Sequence, residues 1–391
     1  MSGHLLGTYG PTKATFVAGE GSWLFDEAGK AHLDLLSGIA VTSLGHAHPE
    51  LAEAISTQAK TLLHTSNFFD TRIAEQVATG LCRVVSDGGP ANGKVFFANS
   101  GAEATEAAIK IVRRAKGPSG AIVAAIGSFH GRTYGALSAT GQPTKQAPFL
   151  PLLPGFTHVP YGDLAALEAV FVEQEVAALL LEPIMGEGGV ITPPAGYLVA
   201  AAELAASHGA LLVLDEVQTG IGRTGRWCAF QHDGLSPDLV TFAKALGNGV
   251  PVGACWASDR VAEVMQPGDH GSTFGGQPLA MAAARCVLEI VERDGLVARA
   301  ADLGATLAEG LAGLPGVVEL RGRGLLMGVE LEAPVAAAAV DAGLAAGVVL
   351  NAVRPSTLRL APPLTLTDDE ATEALARTAA AIAVAMEEVQ P

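Results

Sequence analysis

The chain has 391 residues, with 24 Lys and Arg against 40 Asp and Glu, a formal charge of −16. That balance disfavours nucleic acid, whose phosphates need a basic face, and equally a polybasic membrane anchor. With 49% apolar and only 16% charged residues, the chain is built to form a core and not to stay disordered.

Met1–Thr12 lacks the basic stretch followed by an apolar one that marks a signal peptide, and no apolar run nears the ~18 residues of a membrane span. The turn Asp26-Glu27-Ala28-Gly29 predicts two short flanking strands. Strands follow at Lys94–Ala98, Ala121–Ile126, Phe156–Val159, Ala177–Glu182, Ala210–Glu216, Leu239–Phe242 and Gly253–Ala257. Several are apolar throughout, which suits strands buried on both faces. Helical patterns such as Ala102–Ala115 and Tyr197–His208 separate many of them, so the expected fold class is α/β with a largely parallel sheet. The C-terminal part reads as an α+β unit: helices at Pro278–Val291 and Leu296–Ala312, strands at Val317–Arg321 and Leu325–Leu331, a helix near Val335–Ala346 and another from Asp368. Cys82, Cys228, Cys255 and Cys286 are far apart without a CxxC pair and read as buried or free thiols of a reducing cytoplasm.

Lys244 stands out by its distribution. Seven of the eight lysines fall at or before Lys145, and Lys244 is the only one in the last 246 residues, where arginine occurs eleven times. A desolvated amine can lose its proton and form a Schiff base, which a guanidinium cannot. From the distribution alone a solvated turn lysine reads equally well. Asp215 changes that balance. It ends an apolar strand, where the carboxyl edge of an open α/β sheet binds ligands, and a carboxylate there can hold the pyridine nitrogen of pyridoxal phosphate. Val217 could pack on one face of that ring and Gln218 could bond its phenolic oxygen. Asn99-Ser100-Gly101-Ala102-Glu103 joins a strand to a helix with Ser-x-x-Glu cap spacing, so its free amides suit a phosphate as well as a plain helix cap. Phe129 could stack on the other ring face, and Arg132 could clamp a carboxylate.

Two patterns point elsewhere. Gly220–Gly225 fits G-x-G-x-x-G but does not join strand to helix directly, so it is weak support for a dinucleotide-dependent oxidoreductase. His46-Ala47-His48 suggests a metal, but no third ligand can be singled out, and a packed or capping pair reads better; no metal is expected. A non-catalytic binder of a cofactor or anion is a further alternative, though it has no need of an amine at Lys244.

The motifs taken together resemble the class III (subgroup II) aminotransferases. They are Gly38–Val41 with Ser43–Pro49, His64–Asn67, Phe97–Ala104, Phe129–Thr133, Leu214–Gly225 and His270–Gly276, in this order along nearly the whole chain. The resemblance implies the pyridoxal-phosphate-dependent transferase fold type I, with a mostly parallel seven-stranded sheet and a smaller α+β domain. The expected divisions are 1–45, packing with the small domain, 46–284 for the cofactor domain and 285–391 for the small domain. It further implies that Lys244 carries the cofactor, Asp215 pairs with its nitrogen, Phe129 and Val217 sandwich it, and Gln218 binds its phenolic oxygen. Ser100, Gly101 and Ala102 would bind the phosphate, joined by Thr273 of a second subunit, so a homodimer with shared sites is expected. Glu182 would lie beside the cofactor contacts. Glu187 and Arg359 would form a switch that frees Arg359 for the carboxylate of 2-oxoglutarate. Arg132, Asn67 and Ser272 would face substrate. The implied reaction moves the δ-amine of N2-acetyl-L-ornithine to 2-oxoglutarate, for arginine biosynthesis in the cytoplasm. Ornithine, succinylornithine, 4-aminobutyrate and acetyl-lysine-type donors are the alternatives. Met185 and Thr42 depart from the usual Gln and Asn of the family and bear on the pocket, not the reaction type.

Overall fold

The computed structural model describes residues 4–90 and 92–387. Residues 1–3 of the expected 1–45 segment, the first three of the Met1–Thr12 stretch, and 388–391 of the expected 285–391 unit lie outside them. Three strands open the fold: β1 (Phe16–Glu20), β2 (Trp23–Asp26) and β3 (Ala31–Asp34), an antiparallel meander.

The central sheet has seven strands: β4 (Lys94–Ala98), β5 (Ala121–Ala125), β6 (Phe156–Val159), β7 (Val176–Leu181), β8 (Leu211–Asp215), β9 (Leu239–Phe242) and β10 (Gly253–Ala257). Their spatial order is β4-β10-β9-β8-β7-β5-β6, and β10 alone runs opposite to the other six. The strands β5, β7, β8, β9 and β10 are buried at every residue, as their largely apolar composition requires, with Thr241 and Asp215 the polar exceptions. Their side chains alternate between two cores. Leu212, Leu214, Val240 and Phe242 join the cluster formed with helices Leu164–Glu173, Tyr197–Ser207 and Pro278–Arg293. Leu211, Val213 and Leu239 join the cluster under helix Gly101–Lys116. By the same pleat, Asp215 belongs to the face on which that helix lies.

The remaining strands are β11 (Val317–Arg323), β12 (Leu326–Leu331), β13 (Val348–Val349), β14 (Asn351–Arg354) and β15 (Thr357–Leu360). β13 extends the opening meander by pairing parallel to β3, and the other four form an antiparallel sheet ordered β11-β12-β15-β14. Helices Leu296–Ala312, Ala336–Ala346 and Asp368–Glu387 accompany this sheet. Ser22 Oγ and Trp23 Nε1 donate to the Glu370 carboxylate, tying the opening segment to the last helix. Helix Pro278–Arg293 runs unbroken through residue 284.

The expected strands agree with the observed ones to within two residues, the largest difference being β11, which runs on to Arg323. Among the elements not named from the sequence were β1, β13, β14 and β15, and helices Pro49–Thr61, Arg72–Val85, Tyr134–Ala139 and Leu164–Glu173. All four cysteines are buried and unpaired. Among the described residues, no helix is long and apolar enough to cross a membrane.

Candidate active site

The carboxyl ends of β4, β5, β7, β8 and β9 converge on one cavity of about 410 Å³. Its lining includes Gly101, Ala102, Phe129, Arg132, Glu182, Glu187, Asp215, Val217, Gln218 and Lys244. These come from five separate strand ends, the edge where open α/β sheets bind ligands.

Asp215 is buried, and both of its oxygens are engaged. Oδ1 accepts the Val217 amide at 3.0 Å and Oδ2 meets His130 Nδ1 at 2.7 Å. A carboxylate keeps lone pairs beyond these two bonds, so it can still accept from a ligand. His130 is buried with its Nε2 unpartnered among the described residues. Burial works against its protonation, but the hydrogen bond and charge of Asp215, with the charge of Glu182, raise its pKa overall. Glu182 accepts from the amides of Phe129 at 2.9 Å and Gly186 at 3.2 Å. Its burial pushes the carboxyl up to about 7.

Lys244 follows β9 with φ of +45°, a conformation that side chains other than glycine rarely adopt. Such a residue costs on the order of 1–3 kcal/mol and persists where the surroundings hold it. Its ammonium has no hydrogen-bond or carboxylate partner among the described residues. Burial, then the Arg359 charge, pulls its pKa below the usual lysine range. An amine of that kind is closer to its neutral, nucleophilic form.

At the other end of the cavity, Ser100 caps helix Gly101–Lys116 by accepting the Glu103 amide at 3.2 Å. The return bond differs from the expected cap. Glu103 Oε2 takes the amide and side chain of Asn99, at 2.6 and 2.8 Å, one residue before the cap itself. The amides of Gly101 and Ala102, in the first turn of the helix, have no acceptor among the described residues, and both residues line the cavity at the positive end of the helix. Gly101 is closely packed: a Cβ there would lie 2.9 Å from Val217 Cγ1, and the Val217 side chain would have to shift.

Arg359 is buried in β15. Its Nη1 donates to Glu187 at 2.8 Å and to Gln218 Oε1 at 3.3 Å, and its Nη2 to Asn351 at 2.9 Å. Burial pushes the Glu187 carboxyl up, but the charge and hydrogen bond of Arg359 outweigh it, and the pKa falls. Arg132 is exposed at the cavity mouth without a carboxylate partner among the described residues, 5.7 Å from the Phe129 ring centre.

Not every expected site residue lines the cavity of a single chain. Ser100 acts as the cap, and Arg359 lies behind Glu187 and Gln218. Asn67 Nδ2 donates to the carbonyls of Ser272 at 2.8 Å and Gly275 at 3.2 Å, while Ser272 Oγ accepts from Asn99 at 3.2 Å. Thr273 is exposed beside them. His130, Asn99, Asn351 and the segment Gly249–Val252 belong to the site or its supports and were not read from the sequence. For His130 the signal was present, because it follows one strand as Asp215 ends another.

The two misleading patterns have structural uses. Arg223, inside the glycine-rich match, is buried and donates to the carbonyls of Leu325 and Pro362 and to Ser43 Oγ. Its burial pulls the guanidinium down to about 9. His46 Nε2 meets Asp34 Oδ2 at 2.8 Å.

The profile of the family described as Aminotransferase class-III matches residues 8–382. The chain is 52% identical over 368 residues to an acetylornithine aminotransferase of Mycolicibacterium smegmatis, covering 94% of this chain and 93% of that protein. A second acetylornithine aminotransferase, from Streptomyces coelicolor, is 50% identical over 370 residues, with 94% and 90% covered. Among solved structures, N-acetylornithine aminotransferase from Stenotrophomonas maltophilia superposes with a TM-score of 0.84 at 37% identity, covering 97% of this chain and 98% of that one. Ornithine aminotransferase from Toxoplasma gondii gives 0.93 at 34% identity, with 98% and 94% covered.

Proposed function

The chain belongs to the class III aminotransferases, and on that footing we propose that it moves the δ-amine of N2-acetyl-L-ornithine to 2-oxoglutarate. The products are N-acetylglutamate 5-semialdehyde and glutamate. As a member of this family it is a pyridoxal-phosphate-dependent transaminase. The residues present fit that cofactor. Two free amides lie at a helix N-terminus, an unpartnered amine faces the cavity, and a buried carboxylate has lone pairs to spare.

When bound, pyridoxal phosphate serves as an electron sink for a carbanion next to nitrogen. With the cofactor bound, Lys244 Nζ would be its point of covalent attachment and would carry the proton at the reacting carbon. Its depressed pKa supports that role. Asp215 would pair with the ring nitrogen and keep it protonated, and His130 fixes the Asp215 carboxylate from behind. The amides of Gly101 and Ala102, with Ser100, hold the phosphate. Phe129 and Val217 line the cavity where they would pack on the ring, and Gln218 would bond its phenolic oxygen. Glu182 is the buried carboxyl that orients Phe129 through its amide.

Glu187 and Arg359 form a reversible pair. A buried, unpaired guanidinium is costly, so Glu187 neutralises it while a neutral donor end occupies the pocket. Glu187 then swings away when the 2-oxoglutarate carboxylate arrives. Arg132 holds a substrate carboxylate at the mouth.

A homodimer with shared sites completes the reading. The segment carrying Asn67 and the loop carrying Ser272 and Thr273 are hydrogen-bonded to each other. They bear Phe68 and Phe274, which are 95% and 62% exposed, an apolar patch that suits a second copy. Thr273 of each chain would reach the phosphate bound by the other, and Asn67 and Ser272 would border the substrate. We also place the division at 1–45, 46–284 and 285–391, the location in the cytoplasm and the pathway in arginine biosynthesis.

The unpartnered amine of Lys244 in a cavity that also holds Asp215 carries the reading. Assay of the purified protein with 2-oxoglutarate against acetylornithine, ornithine, succinylornithine, 4-aminobutyrate and acetyl-lysine tests it. Preference for 4-aminobutyrate would overturn the donor and leave the transaminase standing. Lys244→Ala and Lys244→Arg should both abolish turnover. After borohydride treatment only the parent peptide containing Lys244 should gain the cofactor mass.

A further inference from the structure

Beyond the expected clamp at Arg132, a second cation stands over the Phe129 ring, although it does not itself line the cavity. Lys145 lies on the short helix Pro143–Gln146, with its Nζ 5.1 Å from the centre of the Phe129 ring. Arg132 stands over that same ring at 5.7 Å. Phe129 lines the cavity, so both cations flank one of its walls. Several cations of the chain pair with a carboxylate, as Lys94, Arg114 and Arg293 do, and among the described residues others such as Lys60 and Arg72 do not. Arg132 and Lys145 have none within 4 Å among the described residues.

The position of Lys145 is built. Gln142 Nε2 donates to the carbonyls of Gly127 at 3.2 Å and Ser128 at 3.1 Å, which turns its Oε1 towards the Lys145 ammonium, and the two are hydrogen-bonded. Gln146 Nε2 pins the same helix through the carbonyls of Leu137 and Thr140. An ammonium has three donors, so two remain free. Burial, then the charges of Arg132 and Arg359, loosens its proton, while Glu187 opposes them. A group so placed gains from an arriving anion.

We propose that Lys145 is a specificity-determining residue that shares with Arg132 the substrate carboxylate farthest from the reacting carbon. The ligand class is a donor or acceptor with a carboxylate a few bonds from the carbon that exchanges nitrogen. Acetylornithine and 2-oxoglutarate both have one. The inference rests on the transaminase reading above and names a further determinant of its substrates.

The test uses the holoenzyme of the parent and of Lys145→Ala, Lys145→Met and Lys145→Arg. Two donors are compared: N2-acetyl-L-ornithine and N-acetylputrescine, which is the same molecule without its carboxylate. Calorimetric binding of glutarate, an unreactive dicarboxylate, gives a readout apart from turnover. The ratio of kcat/KM between the two donors should fall on the order of tenfold in the Ala and Met variants, carried by KM, as expected for one charge-assisted bond. Glutarate should weaken in parallel, and Arg should restore most of both. A ratio unchanged within about twofold would overturn the proposal. So would an equal loss for both donors, because Lys145 would then only buttress Phe129. If the parent does not use acetylornithine, the donor reading fails by itself. Glutarate binding then decides, weakened in Lys145→Ala for the proposal and unchanged against it.

Discussion

At the residue scale, the carboxyl edge of β8 carries two neighbouring acids with different work. Asp215 faces the cavity, whereas Glu216 points into the protein and accepts from the Phe230 amide at 2.9 Å and from the Thr219 hydroxyl. Burial pushes the Glu216 carboxyl up to about 7 from 4.5. The folded state therefore holds a proton that the unfolded state has already lost between those two values. The associated stability is fully present below the unfolded pKa and is lost as pH rises through about 7. The shift corresponds to on the order of 3 kcal/mol. Glu216→Gln keeps the shape without the proton. Its melting temperature should therefore gain on the parent's between pH 5 and pH 8, and parallel curves would contradict this. Glu182 titrates in the same range but is shared by both proteins, so the difference isolates Glu216.

At the element scale, the helix Gly101–Lys116 serves two ends at once. Its buried alanines, Ala104, Ala107 and Ala108, let it lie close on the sheet, and its first turn leaves two amides open. Gly101→Ala sharpens the conflict between them. Alanine is the better helix former, but its Cβ would meet Val217 at 2.9 Å, on the side chain proposed to cover the ring. The expected outcome is cofactor retention weakened on the order of tenfold, or about 1.4 kcal/mol, in a fold that melts no earlier without cofactor. Retention equal to the parent's, measured by dialysis against a scavenging amine, would show that Val217 yields freely.

Elements of this kind are also where sequence reading succeeds. The run Leu211–Asp215 is apolar to its last residue, so both the strand and its exceptional end are visible. β13 has two residues and exists only because it pairs with β3 more than 300 positions earlier, which no local period records. The bond from His130 to Asp215 spans 85 positions, and Arg359 reaches Glu187 across 172. Lys244 and Asp215 were legible because their chemistry is unusual for their surroundings. Lys145 was not, since a lysine on a polar loop looks ordinary until Phe129 and Gln142 are folded against it.

At the scale of the whole molecule, the site of one chain is built by the edge of its central sheet and by Arg359 from the C-terminal sheet, yet Thr273 stays outside it. If Thr273 serves the phosphate of a second copy, then Lys244 and Thr273 of one working site belong to different chains. Co-expression of Lys244→Ala with Thr273→Asp decides the point. Each variant alone should be inactive, the first for want of the amine and the second because a carboxylate repels the phosphate. In a purified mixed dimer, one site combines both defects and the other combines none. Such dimers should regain about half the parent activity, as the two-fold arrangement of like chains requires. If Thr273 acted within its own chain, each site would keep one defect and the mixture would stay inactive. The exposed Phe68 and Phe274 make the same assignment testable by assembly. Phe274→Asp should shift the protein from twice the chain mass to the single chain and lose activity with it. Monomers that remained fully active would separate the apolar patch from catalysis.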